Sequence, residues 1–158
     1  MHRSTSLAIE AFEAQHDTLH HWLAGISDAQ LDAQPVPNTW TPRQLLVHML
    51  DSDLAASHRM RRIAAEDKPL LIAYDETSLA NTFALSAGDL RTVADLFSAN
   101  RRWAAGWLRR LDDASFDRVG IHNQRGKVTL GEMVQLYVEH VRKHEPFMMA
   151  KRKALGLA

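Results

Sequence analysis

The chain has 158 residues, of which 46% are hydrophobic, and its 19 basic and 19 acidic residues give a formal net charge of zero. This length suits one domain, residues 1–158, that buries roughly 70% of its unfolded surface in a single core. The charge balance argues against nucleic acid or a membrane surface as a partner, because both usually require a basic excess. No apolar run approaches the ~18–20 residues that span a bilayer, and residues 1–17 lack the apolar core of a secretory signal, so we expect a cytoplasmic protein.

The absence of cysteine narrows the possible chemistry. Disulfides, thiolate metal ligands and a cysteine nucleophile are all excluded. Any metal ion would be held by nitrogen and oxygen, a donor set that suits zinc, nickel, iron, cobalt or manganese. The sequence also lacks a G-x-S-x-G elbow, a phosphate-binding loop and a dinucleotide signature, so a serine hydrolase and a nucleotide-binding fold find no support.

Four segments show the apolar periodicity of helices. The first runs from about Ser6 to Gly25 and ends before a stretch that contains two prolines. The second has Thr41 as its N-cap and Pro42 in its first turn, and it extends to about Glu66. A connection of about twenty residues follows, which is long for a helical domain, and we expect one short helix at Glu76–Thr82 within it.

The second half of the chain contains the other two predicted helices. The third runs from Gly88–Asp89 to Leu111, and its predicted core face consists of Val93, Leu96, Phe97, Trp103, Trp107 and Leu111. Extended structure is expected at Val119–His122. The fourth begins at a capping box, in which Thr129 is followed by Glu132, and it continues toward Lys153, with a kink or a lost hydrogen bond expected at Pro146. We therefore predict an all-α four-helix bundle with a long crossover between helices 2 and 3.

Two histidines in the fourth helix and one in the second form a candidate metal site. His140 and His144 are four residues apart, so a helix places both side chains on one face. His48 lies within an apolar run, where a solvent-facing histidine would be unusual. Two imidazoles of one helix and a third from a facing helix can hold a divalent ion with open coordination positions. The alternative is a hydrogen-bonded core histidine and a partly solvated pair.

The other six histidines receive weaker predictions. His16 lies on the apolar stripe of the first helix and is expected to line the same cavity as the three candidate ligands. His16 and His20 have the same four-residue spacing as His140 and His144, so the spacing alone is weak evidence for a metal site. His122 is expected in a loop near the mouth of the pocket. His20 and His21 are expected to be peripheral, and His2 and His58 are expected to be solvated.

Polar residues of the second helix are in phase with His48. Asp51 and Ser52 follow it by three and four residues, and Arg59 follows it by eleven. We predict that Asp51 orients a ligand histidine or a bound water, or acts as a base. Arg59 is predicted to receive a substrate carboxylate. Tyr137, one turn before the histidine pair, either donates a hydrogen bond into the site or packs against it, and the alternative for Asp51 and Arg59 is an ordinary surface ion pair.

Three segments carry a family resemblance: WTPRQLLVHMLDSD, KPLLIAYDE and VTLGEMVQLYVEHVRKH. In this order they resemble the DinB/YfiT-like superfamily of bacterial metal-binding four-helix bundles, and the resemblance extends from about Leu19 to Met149. Its most specific elements are the W-T-x-x-Q-x-x-x-H lead-in and the Y-x-x-H-x-x-x-H ending. The resemblance implies one divalent ion, often zinc or nickel, bound by His48, His140 and His144.

The chain departs from the family pattern near its last two histidines. Many relatives carry a second aromatic residue or histidine there, whereas this chain has Glu139 and Lys143. His144 is followed by Glu145 and Pro146, which alters the wall of the expected pocket.

The resemblance implies a divalent-metal-dependent enzyme that acts on a small molecule. Characterised relatives include bacillithiol and mycothiol S-transferases and a mycothiol-dependent isomerase, and many others are named as metal-dependent hydrolases. Either S-transfer or hydrolysis is therefore expected, with a low-molecular-weight thiol as a candidate cosubstrate. The alternative is a non-enzymatic metal-binding or ligand-binding stress-response bundle. Trp103 and Trp107 allow a homodimer, as in relatives, but they fit a core position equally well.

Overall fold

The computed structural model describes residues 3–84 and 88–157. Within them the chain forms seven α-helices, three short strands and a 3₁₀ turn at Asp113–Asp117. The helices are α1 (Arg3–Ala14), α2 (Thr18–Leu23), α3 (Asp28–Leu31), α4 (Pro42–Ala65), α5 (Glu76–Phe83), α6 (Leu90–Leu108) and α7 (Leu130–Ala154). The strands are β1 (Leu70–Leu71), β2 (Val119–His122) and β3 (Gly126–Thr129).

The predicted all-α four-helix bundle is confirmed. Its members are α1 with α2, then α4, α6 and α7, and the crossover between the second and third members contains β1 and α5. Both α1 and α4 pack against α6 and α7, so α1 and α4 lie diagonally opposite each other. None of the described helices is both long enough and apolar enough to cross a membrane.

The starts of the two helices that carry the candidate ligands follow local sequence signals. The Thr41 side chain accepts a hydrogen bond from the Gln44 backbone N–H, and the Gln44 side chain accepts one from the Thr41 N–H. The same reciprocal arrangement joins Thr129 and Glu132 at the start of α7. Both caps satisfy backbone donors that the first helical turn leaves without partners. The helix α7 continues through Pro146 to its end at Ala154.

Two details of the predicted helices are wrong. The first segment is not one helix, because α1 ends at Ala14 and α2 begins at Thr18. On α6, Leu96 and Trp103 lie outside the core with 51% and 52% exposure, while Phe97 is fully buried. The homodimer suggested by the exposed tryptophan stays a prediction.

A small sheet closes one end of the bundle. The strand β2 pairs in parallel with β1 and antiparallel with β3, and His122 lies opposite Leu71 and Gly126. The predicted extended structure at Val119–His122 is confirmed, whereas β1 and β3 were not predicted from the sequence. Gly120 is closely packed, since a Cβ atom there would lie 2.8 Å from the Leu71 Cδ1 and 2.9 Å from the Ile63 Cγ1, so a larger residue would force these side chains to move.

An ion pair that the sequence did not predict lies at the centre of the bundle. Asp53 of α4 and Arg101 of α6 are 1% and 0% exposed, and their charged groups approach to 2.8 Å. The Asn100 amide donates to the second Asp53 carboxylate oxygen at 2.7 Å. The guanidinium lies between the rings of Phe12 and Phe97, 4.4 and 4.7 Å from their centroids. Both charges are therefore paired and hydrogen-bonded within the core, as buried charges must be.

Arg101 also joins α1 and α7 to this pair. It donates to the Phe12 carbonyl at 3.2 Å, to the Gln15 side chain at 2.8 Å and to the Tyr137 carbonyl at 3.0 Å. The Phe12 carbonyl is thus bonded by a side chain, and the His16 N–H bonds to the Glu13 carbonyl in a tight turn. Arg101 thus satisfies a carbonyl that is left without an intrahelical partner at the end of α1, where periodicity alone predicted that the helix would continue.

Removal of the buried cation should be far more costly than removal of a surface one. We expect Arg101→Met to lower the free energy of unfolding by about 3–5 kcal/mol, because Asp53 would keep a buried charge without a partner. The matched control is Arg142→Met, whose exposed partner is Glu139, and a loss below about 1 kcal/mol is expected there. Urea unfolding measures both, and equal losses would contradict the central role of the buried pair.

Candidate metal centre

The structure brings the three predicted ligand histidines together. One ring nitrogen of each of His48, His140 and His144 lies within 4.8 Å of the other two. The ring centroids are 5.3 Å apart for His48 and His140, 5.0 Å for His48 and His144, and 4.5 Å for His140 and His144. Within residues 3–84 and 88–157 this is the only group of three or more histidines and carboxylates with such a geometry.

The histidine rings fit a divalent metal ion chemically. Burial lowers the pKa of His48 to about 4. Burial, aided by the neighbouring histidines and Lys143, lowers the pKa of His140 to about 3 and that of His144 to about 4. All three rings are therefore neutral at pH 7, which is the form that binds metals. In addition, the His48 Nε2 is buried without a hydrogen-bond partner among the described residues, and a bound ion would satisfy it.

Aromatic side chains surround the three rings. Trp40 packs edge-on against His48 at 4.9 Å, Tyr137 lies 5.8 Å from His140, and Phe147 lies 6.0 Å from His144. His48 is buried at 1% exposure, whereas His140 and His144 are half-buried. The group is therefore closed on the side of α4 and reachable from the side of α7. Three protein ligands with an open side are typical of catalytic rather than structural metal sites.

The two residues predicted to act beside the metal occupy different environments. Asp51 lies outside the three-histidine group, and one of its carboxylate oxygens is buried without a hydrogen-bond partner among the described residues. Burial raises the pKa of Asp51. Arg59 donates to the Tyr137 hydroxyl at 3.0 Å and to the Ile72 carbonyl at 2.7 Å, and it lines a small cavity that adjoins His140.

The other histidines are distributed between this cavity and the surface. His122 is buried in β2 and lines the cavity beside His140, so its predicted place near the pocket is confirmed. His16 does not line that cavity, and this prediction is wrong, because its ring is hydrogen-bonded to the Ser98 hydroxyl of α6 at 3.1 Å. His20 bonds to Asp95 at 2.8 Å, His58 is exposed, and His2 lies outside the described residues.

The fold is a mostly helical bundle that brings three histidines with metal-ligand geometry into one group. The sequence profile of the DinB superfamily matches residues 11–145, and the chain belongs to that superfamily. YfiT of Bacillus subtilis is 31% identical over 133 residues, which cover 83% of this chain and 74% of YfiT. A relative from Bacillus licheniformis is 30% identical over 135 residues, covering 84% and 76% of the two chains. Both carry provisional names as metal-dependent hydrolases.

A solved structure shows the same fold. The structure of Bacillus subtilis YfiT matches with a TM-score of 0.90, covering 100% of this chain and 91% of that one, at 23% identity in the structural alignment. That protein is described as a probable metal-dependent hydrolase with an unusual four-helix bundle topology. At this level of identity the likeness establishes the fold alone.

Metal binding should depend on all three histidines. We expect wild-type protein without an affinity tag to bind about one zinc or nickel ion per chain. Each of the variants His48→Ala, His140→Ala and His144→Ala should bind the ion more than about 100-fold more weakly. This expectation follows because the loss of a hydrogen-bond partner behind a ligand already weakens metal binding by about 10–100-fold. Elemental analysis and isothermal titration calorimetry measure this. His58→Ala, an exposed histidine of α4, is the control and should bind like wild type. Unchanged binding in the three variants would exclude the site.

The metal-free protein should lose stability on mild acidification. The three histidines have folded-state pKa values of about 3 to 4, below the ordinary value of about 6.5 for an unfolded chain. Between these values the unfolded state binds more protons, so the free energy of unfolding should decrease as pH falls from 7 to 5. Urea unfolding at several pH values measures this slope. His140→Leu should reduce it, and an identical slope in that variant would contradict the prediction.

Proposed function

We propose that this protein is a divalent-metal-dependent enzyme that acts on a small molecule, with zinc or nickel bound by His48, His140 and His144. The observation that carries the proposal is the convergence of three neutral imidazoles in a pocket with one open side. The names of the relatives as metal-dependent hydrolases support it. A divalent ion with three neutral ligands would keep its full charge and would lower the pKa of a bound water, to about 7 on zinc, or of a bound thiol.

Residues around the triad supply positioning and proton transfer. The aromatic ring of Trp40 covers His48, and the Lys151 ammonium donates to Thr39 at 2.5 Å, which holds the preceding loop against α7. Asp51 lies one helical turn after His48. Burial raises its pKa, and one of its carboxylate oxygens is buried without a hydrogen-bond partner among the described residues, both of which are common in carboxylates that transfer protons. We propose Asp51 as the general acid–base of this site.

Hydrolysis and thiol transfer would use the same metal site. Hydrolysis is supported by the names of the relatives. S-transfer is supported by the family resemblance and fits a chain without cysteine, because the sulfur nucleophile would arrive as bacillithiol, mycothiol or a similar thiol. In both reactions the open side at His140 and His144 receives the substrate.

A substrate screen with the metal-loaded protein tests this proposal. Esters, lactones and electrophilic alkyl or aryl compounds are offered with and without bacillithiol, mycothiol and glutathione. We expect turnover that is abolished in His144→Ala and reduced about 100-fold or more in Asp51→Asn, the usual contribution of a general acid–base. Asp67→Asn, an exposed aspartate just after α4, is the matched control and should retain full activity.

The thiol requirement decides between the two reactions. Turnover without thiol identifies a hydrolase, and turnover only with thiol identifies a transferase. Stoichiometric metal binding with no turnover in either series would contradict the enzymatic proposal and favour the non-enzymatic metal-binding bundle.

A further inference from the structure

A small polar cavity adjoins the three histidines on the side of His140. Its volume is about 100 Å³, and it lies where α4, α7, the segment after β1 and the β2–β3 hairpin meet. Pockets that enclose a whole small ligand are typically about 300–1,000 Å³. This cavity therefore has room for one functional group of a molecule whose remainder lies at the metal centre.

Arg59 is held rigidly at the edge of this cavity. Its two terminal nitrogens donate to the Tyr137 hydroxyl at 3.0 Å and to the Ile72 carbonyl at 2.7 Å, and its guanidinium lies 5.5 Å from the centre of the Tyr74 ring. A guanidinium has five N–H donors, so these bonds orient the group and leave donors for an acceptor in the cavity. The planar fork of arginine matches the two oxygens of a carboxylate.

The hairpin between β2 and β3 adds two further donors. The His122 Nδ1 accepts a hydrogen bond from the Gln124 backbone N–H at 3.2 Å, so the neutral ring carries its proton on Nε2. Burial and the nearby Arg59 and Arg125 lower the pKa of His122, which keeps the ring in this neutral form. Arg125, at the exposed tip of the hairpin, also lines the cavity.

The charge of the lining favours a monoanion. Arg59 and Arg125 are cationic, and Glu76 at the start of α5 is the one carboxylate among the described lining residues. Glu76 is exposed and therefore largely screened by solvent. The lining is therefore positive on balance, with two cations and one exposed carboxylate, which matches the single charge of a carboxylate better than the double charge of a phosphate.

We propose that this cavity is the subsite for a carboxylate of the substrate or of its thiol cosubstrate, bound by Arg59 with Arg125 and His122. This inference rests on the proposed function, because the subsite orients the rest of the bound molecule past His140 toward the proposed metal. A carboxylate subsite limits the substrates to small carboxylic acids, or to electrophiles that react with a carboxylate-bearing thiol.

A binding experiment on the metal-free protein tests the subsite, because a carboxylate then has no metal to bind. Propionate and its neutral isostere propionamide are titrated and followed by saturation-transfer and ¹⁵N-correlation NMR. We expect propionate to bind at least about tenfold more tightly than propionamide, which is the effect of a charge-assisted hydrogen bond. Arg59→Gln and Arg125→Gln should each weaken propionate binding, and Glu76→Gln should strengthen it.

Controls separate this outcome from a failure of the fold or of the metal centre. Arg125 is exposed, so Arg125→Gln should fold normally even if Arg59→Gln does not, and Arg142→Gln on the outside of α7 should bind propionate like wild type. Equal affinity for propionate and propionamide, or wild-type propionate binding in Arg125→Gln and Arg59→Gln, would overturn the subsite. A protein that binds metal but fails these tests would retain the proposed function and lose only this inference.

Competition identifies the molecule that carries the carboxylate. Displacement of propionate by glutathione but not by glutathione diethyl ester would assign the subsite to the thiol cosubstrate. Propionate binding that neither glutathione nor bacillithiol changes would assign the subsite to the other substrate.

Discussion

The buried ion pair between Asp53 and Arg101 is the interaction on which the rest of the structure depends. Arg101 is fully buried on α6, yet it also bonds to the backbone of α1 and α7, so one guanidinium fixes the relative positions of all four bundle members. A buried ion pair adds little net stability compared with apolar residues of the same volume. Here the ion pair sets how α4 and α7 are aligned along their axes. The α7 carbonyl that Arg101 binds belongs to Tyr137, three residues before His140, and Asp53 lies five residues after His48. The pair thus aligns the two helices whose histidines must meet.

The candidate metal centre uses this alignment and the small sheet together. α4 and α7 present three imidazoles whose burial keeps them neutral, and their apolar surroundings leave the His48 Nε2 without a protein partner. The sheet adds the other wall of the site, because β2 places His122 beside His140. Gly120 permits this arrangement, since a larger residue would collide with Leu71 and Ile63 where the sheet packs on α4. A positive polar cavity and a neutral ligand triad therefore adjoin each other at His140.

Local features were predicted accurately from the sequence because their causes lie within a few residues. The N-caps at Thr41 and Thr129 depend on side chains three positions further on, and both helices begin there. The four-residue spacing of His140 and His144 likewise dictates a shared helix face. The errors have non-local causes. The break before Thr18 coincides with a bond from Arg101 of α6 to the Phe12 carbonyl, and β1 has only two residues, which pair with a strand some fifty positions away. Leu96 and Trp103 are exposed because the buried face of α6 is centred on Phe97, Arg101 and Ala104, and an arginine in a core stripe is not expected from hydrophobic periodicity.

The amino-acid sequence was sufficient to predict the four bundle members and their order. It also carried the family resemblance and three histidines whose spacing and apolar setting suit one metal ion. Spacing alone did not separate the pair at His140 from the pair at His16, and it was the apolar setting and the family resemblance that favoured the first pair. The tertiary structure brings His48 to that pair, and Ser98 and Asp95 to the second. It also brought Arg59 and Arg125 to one cavity. The reason is physical: spacing along a helix fixes which side chains share a face, whereas the group that faces them depends on packing between segments that are distant in the chain.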